Sequence, residues 1–260
     1  GVTGGRTYGF GAVNGLFSLS SQHLDGLVDL NWYSTDRIEE AFPVEVAYER
    51  MIIGSEVPID GMFDFRFGLR EGYVTLKGAG LDATIGKKKL RWGPGYKGTL
   101  GLSGVASAPF YYYHIRYGFK ELVKASAFLC GYDDEARFRS EIKYTDTLFV
   151  VATGQNISSL PPRYGAGQRL DVRVGQHVQF GLYELVNFFG TNELNRFANP
   201  LAFYYAANTT SGTNNANMLG GADVNVVVVP WRWYAEFLND DITVFEQAGN
   251  PDKYAWQAGA

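Results

Sequence analysis

Apolar and polar residues alternate with a period of two along most of the chain. Phe63, Phe65, Phe67 and Leu69 are interleaved with Asp64, Arg66, Gly68 and Arg70. A helix would spread these residues around its axis, whereas a strand sends them to opposite faces. Val44, Val46 and Tyr48 alternate in the same way with Glu45, Ala47 and Glu49. Phe138, Ser140, Ile142 and Tyr144 alternate with Arg137, Arg139, Glu141 and Lys143. Leu170, Val172 and Val174 alternate with Asp171, Arg173 and Gly175, then Val178, Phe180 and Leu182 with Gln179, Gly181 and Tyr183. Further strand-like stretches fall near 6–19, 24–33, 73–86, 99–103, 110–119, 122–132, 147–155, 218–229, 231–239 and 253–260. Polar connections at 133–135, 144–147 and 175–176 divide neighbouring runs into hairpins. Residues 161–165, opened by Pro161-Pro162, and the Asn/Thr-rich 207–217 read as exposed loops.

Alternation alone does not separate a soluble sandwich, with its apolar face inward, from an outer-membrane barrel with its apolar face toward lipid. Two features favour the barrel. Some runs approach ten residues, enough to cross a bilayer at a tilt. Aromatic clusters at Trp32-Tyr33, Tyr111-Tyr112-Tyr113 and Trp231-Arg232-Trp233-Tyr234 fall at or near strand ends, where interfacial girdles lie. The expectation is an all-β, antiparallel transmembrane outer-membrane β-barrel of about 14–16 strands, forming one domain over 1–260. The run from Lys253 to Ala260 reads as an entering strand, so the barrel is expected to extend beyond it.

Composition fits that picture: 15% aromatic, 19% charged and 32 Gly suit strands set between an apolar and a wet phase. A net charge of −4 argues against a nucleic-acid partner, which requires a concentrated basic face. The single Cys130 cannot form an internal disulfide, and no Cys/His spacing suggests zinc, so no metal or cofactor is expected. The chain opens GVTGGRTYGFG without the charged and apolar regions of a signal peptide, which is therefore read as removed or left out. The longest uncharged run, 197–222, is too polar to cross a bilayer as a helix.

Gly93-Pro94-Gly95-Tyr96-Lys97-Gly98 has the letters of a dinucleotide fingerprint without its context. Lys87, Lys88, Lys89 and Arg91 precede it where an apolar strand is required, and no helical pattern follows. The residues alone read as a Gly/Pro turn between strands. The longer phrase Arg91-Trp92-Gly93-Pro94-Gly95-Tyr96-Lys97-Gly98-Thr99-Leu100-Gly101-Leu102-Ser103, followed by Ala108-Pro109, resembles that of the Wzi-like capsule-assembly proteins. Asn199-Pro200-Leu201-Ala202-Phe203-Tyr204-Tyr205, later Asp240-Asp241, and finally Tyr254-Ala255-Trp256-Gln257 are similar to that family in the same order. Here a single aromatic, Trp92, precedes Gly-Pro-Gly, and Gly104-Val105 stands where a polar pair is more usual.

The resemblance implies a lectin-like, non-enzymatic outer-membrane protein of a diderm bacterium, with surface or capsular polysaccharide as ligand. Lipid, lipopolysaccharide and other envelope proteins would be its neighbours. Arg91, Trp92, Tyr96 and Lys97 are the candidate sugar contacts, because aromatic faces stack on sugar rings while cations meet hydroxyls and acidic groups. The competing reading makes Trp92 and Tyr96 girdle residues and Arg91 a lumen charge. His23, His114 and His177 lack a nucleophile signature, and Ser103 lacks G-x-S-x-G context, so no catalytic residue is expected. Asp240 and Asp241, adjacent on a strand, would point to opposite faces. A porin-like channel selective through its lumen charges, or a structural subunit of an envelope complex, are the alternatives.

Overall fold

The computed structural model describes residues 10–35, 55–59, 65–96, 98–104, 108–132, 163–209, 216–240 and 253–260. Among these residues twelve strands form one antiparallel sheet. They are β1 (Phe10–Ser20), β2 (Leu24–Thr35), β3 (Ser55–Ile59), β4 (Phe65–Gly78), β5 (Leu81–Lys87), β6 (Phe110–Phe119), β7 (Val123–Gly131), β8 (Arg163–Val174), β9 (Val178–Phe189), β10 (Ala216–Val228), β11 (Trp231–Asp240) and β12 (Lys253–Gly259). Eleven run side by side in chain order from β1 to β12, and β3 pairs with β4 at 65–69, beyond the end of β5. The fold is all-β and antiparallel, as the alternation requires, and β1 does not pair with β12 among the described residues. No described helix is long and apolar enough to cross a membrane. The alternating runs at 44–49, 137–144 and 147–155 lie outside the described residues.

Connections differ sharply between the two ends of the sheet. Tight turns join β1 to β2, β4 to β5, β6 to β7, β8 to β9 and β10 to β11, all at one end. At the other end the chain runs long between β5 and β6, β7 and β8, β9 and β10, and β11 and β12. One face carries Leu76, Leu81, Ile85, Leu170, Phe180, Leu182, Trp231, Trp233, Phe237 and Trp256 exposed to the surroundings. The opposite face carries Asp82, Arg116, Arg169, Asp171, Asp223 and Glu236, joined by ion pairs and hydrogen bonds. This is the inversion of a soluble protein: the apolar face looks out and the charges look in.

Local reasons account for the differences from the expected elements. The runs at 63–70 and 73–86 are divided differently: β4 is continuous through 71–72 and ends at a turn where Ala79 and Gly80 take positive φ. A bulge sets Arg70 between Glu71, opposite Asp29, and Leu69, opposite Leu30; the extra residue flips the faces and breaks the apparent period. A second bulge at Tyr112 sends buried Tyr111 inward and Tyr113 outward. Residues 163–165 are strand, correcting the loop read from Pro161-Pro162. Cβ atoms at Gly165 and Gly167 would meet Cys130 Sγ at 3.1 Å and Leu185 Cδ2 at 2.7 Å, so these glycines admit packing. Stretch 99–103 is no strand of the sheet; its one ladder-type pairing is an isolated bridge from Leu102 to Trp92, and Leu100 N–H bonds the Glu236 side chain.

Residues 191–209 are the one helical stretch described: a 3-10 turn (Thr191–Glu193), α1 (Leu194–Phe197) and α2 (Tyr204–Thr209). Its Phe197 and Tyr204 are fully buried against Phe188, Val186, Ala166 and Tyr164, on the same strand face as exposed Leu170 and Leu182. Tyr164 stacks on Phe188 at 5.5 Å, and Phe188 meets Phe197 at 5.0 Å. The helices therefore pack on the outside of the wall, near the long-loop end. The expected loop 207–217 accordingly begins within α2 and ends within β10.

Candidate functional site

The segment between β5 and β6 folds back onto the charged face. Trp92 N–H donates to Leu102 O at 2.9 Å, closing residues 92–102 into a loop. Trp92 sits at the centre of the inner apolar cluster, its ring 5.1 Å from Phe128 on β7 and 6.4 Å from Tyr183 on β9. Gly95 N–H donates to Glu236 Oε1 at 2.6 Å and Leu100 N–H to Glu236 Oε2 at 2.7 Å. Arg232 on the same strand donates to Pro94 O at 2.8 Å, and Gln257 on β12 donates to Gly98 O at 3.1 Å. On a flat sheet β7 and β12 would stand roughly 24 Å apart at the usual interstrand spacing. A loop that touches β7, β9, β11 and β12 at once requires a sheet curled around it.

Glycine is required where the loop meets the wall. Gly93 has φ of 120°, and a Cβ there would lie 2.7 Å from Glu236 Oε1. A Cβ on Gly95 would run into Gly98 O and come within 2.5 Å of Gln257 Nε2. Gly98 faces open space, so its position in the phrase has no steric basis in the fold. The Gly-Pro-Gly segment is thus an inward-folded anchor, which corrects the reading of a simple turn between strands.

Of the candidate sugar contacts, Trp92 is only 5% exposed, with neighbouring rings on it. Tyr96 is 77% exposed, and Arg91, also exposed, donates through Nη2 to Tyr96 O at 3.3 Å. Lys97 lies outside the described residues. Ser103 follows Leu102 on the returning limb of the loop. The second phrase lies elsewhere, on the outer face: Asn199 Oδ1 accepts the Leu201 N–H at 3.0 Å, an Asx turn with Pro200 at its centre. That turn leads into α2, where Tyr204 N–H donates to Glu184 Oε1 at 3.0 Å. Asp240 ends β11 and lies 3.9 Å from Lys253, while Asp241 is outside the described residues.

Beneath the loop the wall is polar. Arg169, with a 6% exposed side chain, donates to Asp223 through both terminal nitrogens, at 2.6 and 3.0 Å, and to Asp171 at 2.6 Å. Gln179 donates to Asp171 at 3.0 Å. Lys88, just past β5, lies 4.2 Å from the Tyr73 ring centre; burial, then the charge of Arg116, lowers its ammonium below the ordinary lysine value. Among the histidines, His23 and His177 bond backbone carbonyls beside the turns, and His114 is buried on the inner face. No group of three His, Cys, Asp or Glu that could hold a metal occurs among the described residues. Cys130 is buried in the inner cluster.

A curled antiparallel wall, apolar outside and charged within, holding one of its own loops inside, defines the class of protein. Its sequence then places it: the profile of the capsule assembly protein Wzi family matches from residue 60 to residue 260, more than three-quarters of the chain. This protein belongs to the Wzi capsule-assembly family. No curated protein sequence matches it.

Proposed function

We propose that this protein is a multi-pass outer-membrane β-barrel that binds or organises surface polysaccharide without chemical turnover. The observation that carries this reading is the capture of the family's own phrase inside the wall by Glu236. A loop held by buried, charge-assisted bonds occupies the space a general porin would keep open. The face pattern supports the membrane setting, because the exposed residues around Leu170, Leu182 and Phe237 suit lipid and not water. By the usual asymmetry of such barrels the tight turns face the periplasm and the long connections the cell surface.

On this reading Tyr96 and Arg91 are the contacts offered to sugar, with Lys97 beside them. Buried Trp92 acts by positioning the loop. Wild-type protein in lipid vesicles is expected to retain isolated capsular polysaccharide or lipopolysaccharide glycan, and Tyr96→Ala to weaken that retention about tenfold, the scale of losing one stacked ring. Absence of glycan binding together with stepwise conductance of the wild type in planar bilayers would establish the porin alternative instead.

A further inference from the structure

Between the captured loop and the tight-turn end lies a cavity of about 330 Å³. That volume falls in the range of about 300–1,000 Å³ found for small-molecule sites. The loop forms one side of it, from Leu90 to Pro94, and strands β6 to β11 form the rest. Tyr96 is not among its lining residues. A smaller recess shares Lys124, Asp171 and Gln179 with the cavity and reaches the turn residues Glu121 and Leu122, which marks the approach from the tight-turn end.

The lining carries more positive than negative charge. Its two carboxylates, Asp171 and Asp223, are both taken up by Arg169. Arg116 is paired with Asp82. Arg232 is different: its Nε donates to Asn225 Oδ1 and its Nη2 to Pro94 O, both at 2.8 Å and both neutral acceptors. Among the described residues Lys124 pairs with Glu121, three residues away at 3.4 Å, and that carboxylate is itself 79% exposed. Exposed ion pairs of this kind are weak. His114 completes the set, 8% exposed, with its buried Nδ1 making no hydrogen bond. A buried nitrogen of this kind calls for a polar partner, water or ligand, and it faces the same cavity.

We propose that this cavity is a binding site for an oxyanion, carboxylate or phosphate, that enters from the tight-turn end and is held by Arg232 and Lys124. Two sources have this chemistry: an acidic sugar such as a uronate, and free inorganic phosphate. The cavity shares Arg91 with the glycan contacts proposed above but not Tyr96, so Tyr96→Ala tells the failure of one reading from the failure of the other.

Calorimetric titration of the full chain in detergent micelles with glucuronate, inorganic phosphate and glucose tests it. Glucuronate, phosphate or both should bind at least tenfold more tightly than glucose, and the binding should weaken as salt rises. The arm that binds names the source. The double substitution Lys124→Gln with Arg232→Gln should lower that affinity tenfold or more, the scale of losing a charge-assisted bond. Arg70→Gln, which removes an inner-face cation outside the cavity, and Tyr96→Ala should leave it unchanged. Because Arg232 also holds Pro94, the single variant Lys124→Gln repeats the test should the double variant fail to fold. Equal affinity for glucose and both anions, or anion binding indifferent to Lys124→Gln and to the double variant, would overturn the proposal.

Discussion

Glu236 and Gly95, 141 residues apart in sequence, meet at 2.6 Å, the carboxylate on β11 accepting the backbone N–H of the loop that leaves β5. The other oxygen accepts the Leu100 N–H, so one side chain, 3% exposed, fastens both limbs of the loop. Hydrogen bonds to a charged group contribute about 1.5–3 kcal/mol each, and their loss strands a buried donor. Glu236→Ala is therefore expected to free the loop and open the lumen. Planar-bilayer recording reads this directly: a silent wild type and stepwise openings in Glu236→Ala are the expected pair, and equal silence would mean that other contacts suffice to hold the loop.

The glycines of the phrase should divide by what surrounds them. Gly95→Ala places a methyl against Gly98 O and Gln257 Nε2, with Glu236 Oε1 at 3.0 Å, so the loop cannot keep its seat. Gly98→Ala meets nothing within 4 Å. Limited proteolysis between 90 and 104 should accelerate at least tenfold for Gly95→Ala and stay at the wild-type rate for Gly98→Ala. Equal sensitivity of the two would show that the backbone freedom of these glycines, not the space around them, governs the loop.

What could be read from the chain follows from the range of the interactions. Period two is local, so the faces of Leu170, Leu182 and Tyr183 were assignable before any fold was known. It failed where a bulge adds a residue: Arg70 on β4 and Tyr112 on β6 reverse the faces that follow. Tyr96 stood out by composition, and it is exposed; Trp92 stood out equally and is buried, because Phe128 and Tyr183, far along the chain, close over it. Glu236 could be placed on the inner face by alternation with Phe237. Nothing near it indicated that it would reach Gly95. The outer helices were illegible for another reason: α1 and α2 span four and six residues, too short for a 3.6 period to register.

The Arg169–Asp223 pair is buried on both sides, at 6% and 2% side-chain exposure. Removing one partner of such a pair typically costs about 3–5 kcal/mol, because the other is left as an uncompensated charge. Asp223→Ala leaves Arg169 with Asp171 alone, and its cost should fall near the lower end. Urea unfolding of protein in lipid vesicles, followed by the heat-dependent shift in gel mobility, measures it. Adding Arg169→Met to Asp223→Ala should recover part of the loss. Were the two costs simply additive, the pair would carry no coupling and the inner wall would be held by the sheet alone.

Leu182 offers the sharpest test of which face meets lipid. It stands outward on β9 at 60% exposure, in register with Leu170 on β8 and Ala222 on β10; Ala222 pairs with Phe237 on β11, and Phe237 with Trp256 on β12. In a water-soluble sheet, Leu182→Arg would alter stability by no more than about 0.5 kcal/mol, since an exposed leucine gains little from its neighbours. In a transmembrane barrel the same change brings a guanidinium into hydrocarbon, at about 2–4 kcal/mol near the midplane and less toward the interfaces. The cost should therefore appear in protein folded into phosphatidylcholine vesicles, grow with acyl-chain length, and be absent for Leu182→Ala beyond the loss of a side chain. A Leu182→Arg variant as stable as wild type in vesicles of every thickness would move this row of residues out of the bilayer, and with it the membrane assignment of β8 through β12.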